Sequence, residues 1–266
     1  MPEGTNGLRS LDVTIQGKRV HVHVAGSGPG LLLFHSAWGD ASLSWSSVWN
    51  NLSTSFTVIA PDMPGFGASE PIDHPSLAAS SRVMGALLEN LKIDDAIVLG
   101  NSFGAALAVE FSNTFPMRTR HLVLVNGTNM PIIPAFLKKI ISLPIIEGQF
   151  RSIMRKATYS NKAFAKSFPD RRKLPKWFFG RIREHEEKIS SVVFDTFMNQ
   201  AGPQKQPSVP STIIWGMGDR LVSSGQLEGL KKWLNKPAFV PIEGAGHMPQ
   251  IERPDAFVDA VKRIRT

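Results

Sequence analysis

Ser102 lies in Gly100-Asn101-Ser102-Phe103-Gly104, where the apolar run Ala96-Ile97-Val98-Leu99 gives way to an Ala- and Leu-rich segment with helical character. A strand that reverses into a helix in so few residues strains the residue at its tip, and glycines two positions to either side relieve the crowding. This G-x-S-x-G corner, the nucleophile elbow, lifts a hydroxyl clear of a sheet and aims the next backbone N–H at the same space. A serine hydroxyl is a poor nucleophile at neutral pH, so it needs a base, and an imidazole base needs a carboxylate to fix its tautomer. The chain offers seven histidines and 22 Asp or Glu for those two roles. The pentapeptide by itself is also compatible with an inert loop serine; its surroundings decide.

Those surroundings read as alternating strands and helices. Leu11–Ile15 and Val20–Val24 alternate apolar and polar residues, as strands with one wet face do, and Gly17-Lys18 is expected to turn a hairpin between them. His21 and His23 fall on the polar side and are read as surface residues. Gly26-Ser27-Gly28-Pro29-Gly30 precedes a strand instead of opening a helix, so it reads as a connecting turn and not a phosphate loop. Leu31–Phe34, Val58–Ala60, the run ending at Gly100, Leu122–Val125, Thr212–Trp215 and Ala238–Ile242 are short apolar runs typical of strands in a parallel sheet. Helices are expected over about 76–92, after Ser102, near 224–235 and over 254–264, which predicts an α/β architecture with helices on both sides of the sheet. From 127 to 206 basic helical segments broken by Pro131, Pro134, Pro144, Pro169 and Pro175 replace this pattern, and they predict an inserted helical subdomain between core segments 1–126 and 207–266.

At 266 residues and 42% hydrophobic content the chain can bury a sizeable core. It has no cysteine, which excludes disulfides and thiolate zinc sites. Met1–Gly7 lacks the basic and apolar parts of a signal peptide, and no run is long enough to span a bilayer, so a cytoplasmic location is expected. The net charge of +8 is concentrated: residues 138–188 hold fourteen Lys or Arg against five Asp or Glu. Such a segment draws anionic substrates, or else consists of amphipathic helices with solvated outer faces. No nucleic-acid-binding motif accompanies it.

Four motifs, His35 to Asp40, Asp62-Met63-Pro64-Gly65-Phe66-Gly67-Ala68-Ser69, the elbow at Ser102 and Gly244-Ala245-Gly246-His247-Met248-Pro249, together resemble the α/β-hydrolase superfamily, in its lid-bearing serine esterase type, over essentially the whole chain. The resemblance implies a mostly parallel eight-stranded sheet flanked by helices, with residues 127–206 as the lid. It implies a triad of Ser102, Asp219 and His247, in the family's chain order. Asn126-Gly127-Thr128-Asn129, where some relatives carry the acid, has no carboxylate, which favours Asp219, although a helix-capping role for that residue is the alternative. The resemblance further implies an oxyanion hole made by the N–H groups of Ala37 and Phe103. Ser36 stands where the family usually has glycine, and its hydroxyl is an auxiliary oxyanion donor in one reading. His35 is read as an anchor of that loop.

A serine nucleophile points away from the carboxylate chemistry of haloalkane dehalogenases and epoxide hydrolases in the same superfamily. The expected activity is hydrolysis of carboxylic esters of hydrophobic substrates through an acyl-enzyme. The elbow also resembles that of hydrolases that split carbon–carbon bonds in ring-fission products, the second reading, although those relatives carry an aromatic residue where this chain has Met248. A slow or non-catalytic ligand receptor on the same fold is the third. No cofactor or metal is implied, and the expected partner is a small hydrophobic molecule. Phe136, Leu137, Ile140, Ile141, Ile145, Ile146, Phe150, Met154, Trp177, Phe178, Phe194, Phe197 and Met198 are expected mostly to pack between lid and core, a few lining the pocket.

Overall fold

A computed structural model describes residues 7–130 and 132–264. Pro131 and residues 1–6, on which the signal-peptide reading rests, lie outside them. Eight strands form one sheet: β1 (Arg9–Ile15), β2 (Lys18–Ala25), β3 (Gly30–Phe34), β4 (Thr57–Pro61), β5 (Ala96–Asn101), β6 (Thr119–Val125), β7 (Ser211–Gly216) and β8 (Ala238–Ile242). Their order is β1-β2-β4-β3-β5-β6-β7-β8. β2 is antiparallel to both of its neighbours and every other pairing is parallel. The β1–β2 hairpin turns at Gln16-Gly17, one residue earlier than expected, with both residues at positive φ (51° and 76°) as a tight hairpin twist requires.

The central strands are buried on both faces, which is why they read as continuous apolar runs instead of alternating ones. Leu32 and Phe34 of β3, Val98 of β5 and Leu122 and Leu124 of β6 join one core cluster; Leu31, Leu33, Ile97, Leu99, Val123 and Val125 join the other. The helices α1 (Ala41–Trp45), α2 (Trp49–Leu52), α3 (Leu77–Asn90) and α4 (Phe103–Thr114) precede a long β6–β7 connection. α3 and α4 cover the first face; α1 and α2 cover the second with Trp45, Trp49 and Leu52. His21 and His23 are half-buried, not free on the surface: Asp12 bonds His21 at 2.7 Å, and the His23 ring lies against Trp49 at 4.9 Å.

The β6–β7 connection carries α5 (Ala135–Ile141), α6 (Pro144–Tyr159), α7 (Asn161–Ser167), α8 (Phe178–Glu184) and α9 (Glu186–Asn199). Its Tyr159, Phe164, Phe168, Phe178, Ile182 and Ile189 belong to the first core cluster, so these helices are continuous with the sheet's own core. The expected burial of its apolar residues holds for Ile141, Phe178 and Phe194, but Phe136, Leu137, Ile140, Ile145 and Trp177 are exposed. α10 (Ser224–Trp233), α11 (Pro249–Glu252) and α12 (Pro254–Lys262) complete the chain. α12 packs on the second face through Phe257, Val258 and Val261.

Candidate active site

Ser102 joins β5 to α4 at φ 56°, ψ −116°, a conformation L-residues avoid and one held here by the close crossing of the two elements. A Cβ on Gly100 would sit 2.1 Å from the Gly104 oxygen, and one on Gly104 would sit 2.3 Å from the Phe34 oxygen. The glycines of the motif are therefore demanded by backbone contact as well as by the turn. The Ser102 N–H donates to the Val125 oxygen at the end of β6 (3.0 Å), tying the elbow to the sheet.

Ser102 Oγ lies 2.8 Å from His247 Nε2, and His247 Nδ1 lies 2.8 Å from Asp219 Oδ2. Asp219 is on the loop after β7 and His247 on the loop after β8, so three sheet ends deliver one chain of hydrogen bonds. Since Asp219 Oδ2 accepts, Nδ1 carries the imidazole proton and Nε2 is left with its lone pair towards the hydroxyl. Asp219 also accepts from the N–H groups of Leu221 (2.8 Å) and Val222 (3.3 Å) through Oδ1. The capping reading of Asp219 is thus compatible with the other, because its two oxygens divide the tasks.

Further residues whose part the sequence did not disclose hold this arrangement. Asn126 Nδ2 donates to Asp219 Oδ2 at 2.9 Å, while its Oδ1 accepts the Gly216 N–H at 2.8 Å. Asn126 occupies the position where a carboxylate was sought, and its φ of 41° suits Asn better than most residues. Beneath the elbow, Asn101 Nδ2 donates to the carbonyls of Val125 and His247, each at 3.0 Å, and Gln250 Nε2 donates to Asn101 Oδ1 at 3.1 Å. Glu252 Oε1 accepts from the N–H groups of Gly246 (2.9 Å) and Met248 (3.2 Å), the two neighbours of His247. Burial pushes the Glu252 carboxyl up to about 7, against the pull of those two N–H groups.

The loop after β3 faces the serine. Ala37 and Phe103 both border the cavity, and Phe103 opens α4, so its N–H has no acceptor within the helix. Ser36 is buried, does not border the cavity and keeps an ordinary negative φ, so glycine is not required there. Its Oγ accepts the Trp38 N–H at 3.3 Å, which makes it a brace within the loop. His35 Nε2 accepts the Met63 N–H (3.0 Å) and Nδ1 donates to the Ser36 oxygen (2.8 Å); burial lowers its pKa and keeps it neutral. Asp62 accepts from the N–H groups of Ala41 (2.9 Å) and Ala68 (2.8 Å), joining the second motif to the first.

The cavity over Ser102 measures about 380 Å³. Phe103, Ala106, Met130, Met154, Val193 and Phe197 give it apolar walls, with Ser190, Thr158 and Gln226 as polar points. Among the described residues none of the Lys or Arg borders it. Hydrogen bonds tie the β6–β7 connection to the loops that bear Ala37, Asp219 and His247, among them Tyr159 Oη to the Ala37 oxygen (2.7 Å), the Arg220 N–H to the Lys166 oxygen (2.8 Å) and the His247 N–H to the Ser167 oxygen (2.8 Å). No group of side chains suited to holding a metal occurs among the described residues.

The chain is 26% identical over 285 aligned positions to a 2-hydroxymuconate semialdehyde hydrolase of Pseudomonas sp., covering 94% of this chain and 91% of the relative. It is 24% identical to Lipase 1 of Psychrobacter immobilis, covering 97% and 84% respectively. The structure of an epoxide hydrolase superposes with a TM-score of 0.77 at 18% identity, covering 96% of this chain and 97% of the other, a likeness of fold. The family model described as "Alpha/beta hydrolase family" matches residues 31–260, which take in β3 from its second residue and every later strand together with the Ser102, Asp219 and His247 loops, and the chain belongs to that family.

Proposed function

We propose that this α/β hydrolase is a serine hydrolase that cleaves carboxylic esters of hydrophobic substrates. The observation that carries the reading is the continuous relay from Asp219 through His247 to Ser102, 2.8 Å at each step, at the floor of an apolar cavity. As Ser102 Oγ attacks the ester carbonyl, His247 Nε2 takes its proton and Asp219 stabilises the imidazolium. The N–H groups of Ala37 and Phe103 receive the negative oxygen of the tetrahedral intermediate, a contribution of about 3 kcal/mol per donor in such sites. His247 then returns the proton to the leaving alcohol, and water, activated by the same imidazole, releases the acid from Ser102. Residues 127–206, which include the helices α5–α9, serve as the lid, and the acyl or alcohol part lies between Met154, Val193 and Phe197. No cofactor takes part.

Cleavage of carbon–carbon bonds is the second reading, favoured by the similarity to the semialdehyde hydrolase along most of both chains. Against it stands the cavity wall, where no described Lys or Arg waits for the carboxylate of a ring-fission acid. The same feature argues that the basic charge of the lid acts outside the pocket.

The test is steady-state hydrolysis of p-nitrophenyl esters of increasing acyl length beside Ser102→Ala. Turnover that rises with acyl length and falls by at least about a thousandfold in the variant is expected. Absence of ester turnover alongside cleavage of a ring-fission dienoate would replace the first reading by the second.

A further inference from the structure

Among the described residues ten large apolar side chains are exposed, and six of them, Ile132, Phe136, Leu137, Ile140, Leu143 and Ile145, fall between positions 132 and 145. Within α5 the usual orientation is inverted: Ile141 is buried, whereas Phe136 is 65% exposed and Ile140 45%. Phe136 and Ile140 are one helical turn apart and share a face, with Lys139 exposed beside them. Ile145, 78% exposed, continues the patch at the start of α6. A hairpin that turns its largest apolar groups to water at the edge of a well-formed core needs something to cover them.

The charge around the patch indicates what that is. No Asp or Glu occurs between Glu110 and Glu147, while Lys138 and Lys139 lie inside the patch and the segment 138–188 carries the chain's basic excess. Lys138 reaches inward to the Gln200 oxygen, which leaves Lys139 as the outward cation of α5. A second copy of the chain would bring like charges together across the contact. An apolar surface that carries an outward lysine and no acidic side chain fits a lipid surface bearing anionic headgroups, where aromatic and aliphatic side chains enter the acyl boundary and the lysine remains at headgroup level.

We infer that the α5–α6 hairpin docks this protein on anionic lipid surfaces. No described helix is long and apolar enough to cross a membrane, so the attachment is peripheral and reversible. α6 begins in the patch with Ile145 and ends at the cavity with Met154, Ala157 and Thr158. Docking would therefore place the cavity wall close to apolar substrates held in lipid; that consequence rests on the proposed reaction, whereas binding does not.

The experiment is co-sedimentation of the full chain with vesicles of phosphatidylcholine alone and of phosphatidylcholine mixed with phosphatidylglycerol, using wild type, Ser102→Ala, Lys139→Glu and the double variant Phe136→Asp/Ile140→Asp. Wild type and Ser102→Ala are expected to sediment equally with the mixed vesicles, less with phosphatidylcholine and less at high salt. Lys139→Glu should weaken the preference for anionic lipid. The double variant should lose at least about tenfold in partitioning, with its circular dichroism and soluble ester turnover retained. Wild type that stays in the supernatant with both vesicles, or a double variant that partitions like wild type, would overturn the inference. So would concentration-dependent dimerisation that the double variant abolishes, which would assign the patch to a second copy.

Discussion

Asp219 Oδ2 accepts two hydrogen bonds, from the imidazole of His247 and from the amide of Asn126, so the amide fixes where the carboxylate can stand. Replacing Asn126 with Ala removes that restraint and also leaves the Gly216 N–H without its acceptor. Asn126→Ala should lower thermal stability by about 1–3 kcal/mol and reduce kcat by roughly tenfold, with a smaller change in KM, since ground-state contacts are untouched. Differential scanning fluorimetry and steady-state kinetics check the two halves separately. Glu252 supports the other side of the relay, and its raised pKa sets a pH signature. The folded carboxyl titrates at about 7 and an unfolded one near 4.5, so the folded state holds the proton more tightly between these values. Its contribution to stability is present below the lower value and is lost as pH rises through the upper one, a difference of about 3 kcal/mol at most. Urea denaturation at pH 5 and pH 8 should therefore show a loss on going to pH 8 that Glu252→Gln reduces; an identical difference in the variant would count against this assignment.

At the scale of elements, the β6–β7 connection does more than cover a pocket. Tyr159 at the end of α6 holds the Ala37 peptide, and the last carbonyls of α7 hold the backbones of Arg220 and His247. Trp38 answers from the core side by donating its indole N–H to the Thr158 oxygen at 3.2 Å. The Ala37–Trp38 peptide, next to the proposed oxyanion donor at Ala37, is thus held by the end of α6. Tyr159→Phe should lower kcat by about tenfold while KM for short esters changes little, the pattern of a donor that acts on the transition state. Equal effects on kcat and KM would instead indicate a role in substrate binding.

These elements also show what the sequence disclosed and what it withheld. The buried strands were legible as apolar runs because both of their faces are covered, and the Ser102 corner was legible because Gly100 and Gly104 answer to backbone contacts at fixed offsets. Ser102, Asp219 and His247 were legible through the resemblance of their motifs to the family and its chain order, and the structure places Ser102 against His247 and His247 against Asp219. Asn126, Asn101 and Glu252 did not stand out, since an amide or carboxylate becomes a support only through partners distant in sequence. The hairpin turn was displaced by one residue because Gln16 takes a positive φ that composition does not announce. The outward face of α5 was missed for a related reason: helical periodicity identifies an apolar stripe and is silent on which way it faces.

Over the whole molecule, charge and chemistry occupy different places. The net charge of +8 is concentrated in one segment, yet the cavity beneath that segment is bordered by apolar and neutral polar side chains. Arg151 illustrates the separation: it stacks on Phe194 at 3.9 Å and is bonded to Glu147 (2.9 Å) and Ser191 (2.9 Å) between α6 and α9, away from Ser102. Turnover of neutral soluble esters should therefore be nearly independent of ionic strength, while lipid binding weakens as salt screens the patch. The most direct test of the central claim is rapid-quench mass spectrometry with p-nitrophenyl butyrate. A butyryl mass increment that forms within the burst, maps to the peptide bearing Ser102 and is absent from Ser102→Ala is the predicted result. Turnover without an adduct at that residue, or an adduct carried elsewhere, would contradict the assignment of Ser102 as nucleophile.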